Sequence, residues 1–181
     1  MLTLLKYIIQ LLLSPGNGWT DIAEKDPDPE ILLRKGIYPL LCVAAATELL
    51  TIVYHETGFG HALIGAVDVV GSYFVSIFIA RLLFDLYLDK IAGKEVDKRR
   101  SSTLIMCGIA MMIVIQIIEN CLPWSVMIVR FLPLYAILVL SKGSTYLGIR
   151  KRNELQYTLF AGATVVAVPL IIYYLIYLLI Q

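Results

Sequence analysis

Apolar residues in this chain form four long runs, and a fifth emerges once the polar separators are marked. A bilayer core needs about 20 helical residues, with a range of roughly 17–25. Runs of that order occupy 37–54, 62–86, 103–122, 125–142 and 157–180. Between them stand HETGFGH (55–61), DKIAGKEVDKRR (89–100), the Leu122-Pro123-Trp124 turn and KGSTYLGIRKRNELQ (142–156). Their glycines and proline are ordinary helix punctuation. The third and fourth runs are so close in sequence that they must form an antiparallel hairpin. The pattern predicts an all-α integral membrane bundle of five transmembrane helices over 37–181, preceded by a cytoplasmic region, 1–36.

Within that N-terminal region, residues 2–13 are apolar but too few to span. Thr3, Lys6, Gln10 and Ser14 fall within about 80° on one side of a helix. This spacing predicts an amphipathic helix lying in the cytoplasmic interface. A signal peptide would need a basic n-region and a small-x-small cleavage site, and neither is present. Pro15-Gly16-Asn17-Gly18 breaks this helix, and Trp19 can anchor the return. Asp28-Pro29-Glu30 reads as an N-cap, a first-turn proline and a dipole-compatible acid. Pro39 permits a bend just inside the first span.

Composition strengthens the membrane reading. Apolar residues make up 59% of 181 and charged residues 16%, against about 45–50% and 25% in soluble domains. This excludes a secreted disulfide scaffold, a nucleic-acid binder and a disordered chain. Cys42, Cys107 and Cys121 match neither a metal-ligand spacing nor a CxxC motif. Net charge is only +1, but its distribution is one-sided. Lys6, Lys25, Arg34 and Lys35 precede the first span. Lys90, Lys94, Lys98, Arg99 and Arg100 lie between spans two and three, and Lys142, Arg150, Lys151 and Arg152 between four and five. The other loops carry no Lys or Arg, and Arg81 and Arg130 fall within spans. The positive-inside rule therefore puts the N-terminus in the cytoplasm and the C-terminus outside, which requires an odd number of spans; the expected location is the cell (inner) membrane. Lys98-Arg99-Arg100 would also attract anionic lipid headgroups.

The order of these pieces carries a resemblance. A short apolar segment leads into Pro15-x-x-x-Trp19-x-x-Ile22, then a polar linker, Pro39 and five spans. The chain resembles the Yip family of Rab-GTPase-interacting membrane proteins, particularly its compact bacterial members. The resemblance implies a five-helix membrane fold with a cytoplasmic N-terminal region, and no catalytic residues. The chain lacks the long N-terminal region and the Asp-Leu-Tyr-Gly-Pro signature of eukaryotic members, so a GTPase is not an expected partner.

Ionisable groups inside the spans are the best functional clue, since each costs at least about 2.5–3.5 kcal/mol at a helix centre. Glu48, Asp68, Glu119 and Arg130 all lie roughly 5–9 Å inside the outer boundary on the predicted spans. With Gln116 they could form one polar cluster, as an ion-pair network or as a path for protons, cations or a metal ion. Gly65, Asp68, Ser72 and Ser76 give span two a small, polar face suited to close packing. His55, Glu56 and His61 are the candidate metal ligands at the outer loop. Arg81 and Asp85 have the i,i+4 spacing of a structural ion pair. No Walker-type loop, HExxH, GxSxG or Rossmann fingerprint occurs. The expectation is a non-enzymatic protein without a cofactor, associating with lipid, other membrane proteins or itself. The alternative is a small transporter or channel.

Overall fold

The structure, a computed structural model, describes residues 2–54, 58–122 and 131–180. Every regular element among them is helical. Two short helices come first, α1 (Leu2–Leu13) and α2 (Pro15–Lys25). α3 (Pro29–Leu32) then runs through a π-helical turn, Leu33–Ile37, into α4 (Tyr38–Glu48) and the short α5 (Thr51–Tyr54). α6 (Phe59–Ala92) and α7 (Lys98–Cys121) are long and unbroken. α8 (Leu132–Tyr146) is followed by a 3-10 turn at Lys151–Asn153 and by α9 (Glu154–Gly162). A second π-helical turn, Ala163–Ala167, joins α9 to α10 (Val168–Ile180).

Four of these stretches are long and apolar enough to cross a membrane: Pro29–Val53, Phe59–Ala92, Lys98–Cys121 and Lys151–Ile176. α8, at 15 residues, is about 22 Å long by helical rise. The residues before it, 123–130, lie outside the described set. α6 outruns the 62–86 stretch expected from hydropathy. Its 34 residues make about 51 Å of helix, so it extends well past a core of about 30 Å. Gly93, in the left-handed conformation at φ 67°, ends it by donating to the Asp89 carbonyl.

α7 occupies the middle of the bundle. Thr103 through Ile113 are all buried, on every face of the helix, as expected for a helix without a polar stripe. α4, α6, α8, α1 and the second π-turn pack around it. Two glycines set close approaches around it. A Cβ on Gly108 would meet Val165 Cγ1 at 2.6 Å, and one on Gly143 would meet Leu104 Cδ1 at 2.6 Å. Small residues at crossing points let helices approach where lipid supplies no hydrophobic drive between them.

Both π-turns have the same cause. Each stands two residues ahead of a proline, Pro39 in one case and Pro169 in the other. A proline ring clashes with the carbonyl four residues back and offers no N–H to it. Widening one turn relieves the clash, and the residue before each proline bonds five back instead: Tyr38 N–H to Leu33, Val168 N–H to Ala163. The bend expected at Pro39 therefore takes the form of a wide turn.

The N-terminal pair is built into the bundle. α1 buries Leu4, Tyr7, Ile8 and Leu11, and it reaches from the first π-turn across α7 to α8. At one end Leu4 packs on Gly36, where a Cβ would lie 2.6 Å from the leucine Cδ2. At the other, Tyr135 Oη donates to the Leu12 carbonyl at 2.7 Å, one of the acceptors a helix C-terminus leaves unpaired. Its outer face carries the expected Thr3 and Lys6, but Leu2, Ile9 and Leu13 are exposed there too. α2 docks on α8 through Trp19, whose indole Nε1 donates to the Val139 carbonyl at 2.9 Å and whose ring stacks on Tyr146 at 5.3 Å. Asp28 accepts from Glu30 N at 2.9 Å, the cap predicted for α3.

Candidate intramembrane polar site

Three helices bring polar side chains together at the end of the bundle away from the charged loops. α4 delivers Thr47 and Glu48 on its last turn, just before the chain kinks into α5. The turn is held by hydroxyls: Thr47 Oγ1 donates to the Ala44 carbonyl at 2.7 Å, and Thr51 Oγ1 to that of Glu48 at 2.5 Å. α7 delivers Gln116 and Asn120, four residues apart and so on one face. α6 delivers Gly65, Asp68, Ser72 and Ser76; the aspartate and both serines are buried.

Glu48 is 6% exposed, and its carboxylate sits inside an amide fence. Asn120 Nδ2 donates to Glu48 Oε1 at 2.8 Å and lies 3.2 Å from Thr47 Oγ1. Gln116 Nε2 reaches Glu48 Oε1 at 3.3 Å and Asn120 Oδ1 at 3.1 Å. The other carboxylate oxygen lies over Gly65, 3.2 Å from where a Cβ would stand. One turn further along α6, Asp68 is 2% exposed and lies within electrostatic range of Glu48. Its Oδ1 is buried without a hydrogen-bond partner. Ser72 and Ser76 spend their hydroxyls on the α6 backbone, and Tyr73 Oη donates to the Met112 carbonyl at 3.1 Å.

Of the cluster expected from sequence, Glu48, Asp68 and Gln116 thus share one interface. Glu119 is half-buried on α7, engaged in an interaction, and within electrostatic range of Tyr73. Arg130 lies outside the described residues. Asn120 and Thr47 went unnoticed in the sequence, although Asn120 stands one turn beyond Gln116. Of the candidate metal ligands, His55 and Glu56 lie outside the described residues and His61 is exposed on the first turn of α6. Among the described residues no three His, Cys, Asp or Glu side chains are grouped to hold a metal ion.

Arg81 requires a correction. Its Nη2 bonds Glu30 Oε1 at 3.1 Å, so its salt bridge runs to the start of the first membrane stretch and not to Asp85 one turn away. The guanidinium reaches across to a neighbouring helix, where the acid stands at the first turn of α3.

At the opposite end the charged loops meet. Arg99 bonds Asp26 through both its carboxylate, at 3.6 Å, and its carbonyl, at 3.0 Å. Thr103 donates to the Pro27 carbonyl, Asn153 to that of Ile91, and Arg100 lies over the Tyr146 ring. The linker before span one, the α6–α7 loop and the α8–α9 loop therefore share one end of the bundle. No family model, curated protein or solved structure matches this chain.

Proposed function

We propose that this chain is a five-span, Yip-like protein of the cell's inner membrane, with its N-terminus in the cytoplasm and its C-terminus outside. In this reading it organises lipid or associates with other membrane proteins through its basic end, and catalyses no reaction. Of the fourth span, 125–142, the part from Leu132 onward lies in α8, and residues 125–130 lie outside the described residues. α1 lies at the cytoplasmic side, wedged against the bundle. The observation that carries the reading is the meeting of three basic connections at one end. Among the described residues, salt bridges at that end engage Lys25, Arg81 and Arg99. Lys94, Lys98, Arg100 and Lys151 are exposed, and near an anionic leaflet each such residue contributes about 1 kcal/mol. The Yip-like part rests on Pro15, Trp19 and Ile22: the proline starts α2, and the other two are its buried anchors.

Extraction in mild detergent followed by lipid analysis tests the proposal. Anionic lipid should be retained in preference to zwitterionic lipid. Joint replacement Lys94→Gln, Lys98→Gln, Arg100→Gln and Lys151→Gln should abolish the preference. Equal retention of both classes by the unaltered protein would overturn the reading, as would a reporter after Gln181 found in the cytoplasm. A transporter or channel is the second reading, favoured by the buried carboxylate pair. Flux in liposomes abolished by Glu48→Gln or Asp68→Asn would establish it.

A further inference from the structure

Glu48 and Asp68 are two carboxylates facing one interface inside a membrane stretch. The first is held by neutral amide donors, and the second has a buried oxygen with no partner. A carboxylate stranded in low dielectric costs several kcal/mol, so such a pair must either take up protons or meet positive charge. The described Lys and Arg residues on the same three membrane stretches do not supply it. They stand at least thirteen residues, about 20 Å of helix, from Glu48, Asp68 or Gln116. The deepest of them on α6, Arg81, is already bound to Glu30. Among the described residues, those that act electrostatically on Tyr73 of α6 are Glu48, Glu119 on α7 and Tyr173 on α10, none of them cationic.

The available ligand atoms are all hard oxygens: the two carboxylates, Thr47 Oγ1, and the amide oxygens of Gln116 and Asn120. Oxygen-only sets select alkali and alkaline-earth cations over the transition metals that imidazole and thiolate favour. We infer that Glu48 and Asp68, with Thr47, Gln116 and Asn120 beside them, form a binding site for a single hard cation, Na⁺ or Ca²⁺ in class. The site lies at the end of the bundle away from the basic loops and requires no transport. It is independent of the lipid-organising reading, and either can fail alone.

Thermal unfolding of the full-length protein in detergent tests it, with Na⁺, K⁺, Mg²⁺ or Ca²⁺ chloride exchanged against choline chloride at constant ionic strength. Either Na⁺ or Ca²⁺ should raise the midpoint saturably, by about 5–10 °C at a hundred times its Kd. Both Glu48→Gln and Asp68→Asn, which keep shape and remove charge, should abolish the shift. Should either variant fail to fold, radiolabelled ion binding to the unaltered protein, saturating at one ion per chain, would still support the site. No shift and no binding with any ion would overturn it, as would an equal shift in the Asp68→Asn variant. So would an ion-insensitive protein that Arg130→Gln destabilises and Asp68→Asn then rescues, for Arg130 would then be the counter-charge.

Discussion

Replacing Trp19 with alanine should detach α2 while leaving the rest of the bundle folded. The side chain is 2% exposed, donates to the Val139 carbonyl at 2.9 Å and stacks on Tyr146 at 5.3 Å. Truncating a buried aromatic of this size costs about 3–5 kcal/mol, a figure that already includes the stacking and the cavity. α2 has only Gly18, Trp19 and Ile22 buried, so the loss is comparable with everything that holds it. Local opening is then cheaper than global unfolding. In amide exchange, 3–5 kcal/mol is about two to three and a half decades of lost protection, confined to 15–25 and the facing turns of α1. Trp19→Phe keeps a ring on Tyr146 and gives up the indole N–H, worth about 1 kcal/mol, so its loss should stay near one decade. Exchange in 15–25 that changes less than threefold in the alanine variant would refute the reasoning. Loss spread evenly into α7 would refute it as well.

Glycine replacements should split by sign. Gly108→Ala forces a methyl to within 2.6 Å of Val165 Cγ1, on a stiff β-branched side chain. Overpacking of about 1–3 kcal/mol should outweigh a helix-propensity gain of about 1 kcal/mol and lower the unfolding midpoint. Gly60→Ala meets nothing within 4 Å and should hold or raise it in the same assay. For Lys25, the hydrogen bond it donates to Asp21 at 2.6 Å raises the ammonium above its ordinary 10.5. Because the folded value is the higher one, any stability from this contact is present below about pH 10.5 and is lost as pH rises through the folded value. NMR titration of the Lys25 side chain should show that upward shift, and Asp21→Asn should remove it.

Features governed by neighbours in sequence were legible before the structure. The Asp28 cap, the break after Leu13 and the one-sided basic loops each depend on a few adjacent residues. Partner choice was not. Arg81 has an acid one turn away, yet it binds Glu30, fifty-one residues off, because helix packing brings that acid within reach. The polar site was half legible for the same reason. Burial of Glu48 and Asp68 follows from charge within an apolar run, whereas the choice of Asn120 and Gln116 as donors depends on how α7 is rotated against α4. That rotation is written in no single segment. The docking of α1 and α2 was hidden too, since Tyr135 and Val139, which receive them, lie more than a hundred residues away.

The π-turn at Leu33–Ile37 makes the facing of the first membrane stretch a matter of residue number. Each residue of an α-helix turns the chain by about 100°, and a π-turn accommodates one residue more than the α-turn it replaces. Everything beyond it in α4, Glu48 included, is swung round by that extra step. Deleting one residue between Leu33 and Ile37 would leave composition and hydropathy almost untouched, yet turn Glu48 about a quarter-circle away from Asn120. In evolutionary terms the segment is a frame. Substitutions at its exposed positions, Arg34 and Lys35, leave that frame intact, while insertions and deletions re-aim the helix beyond it.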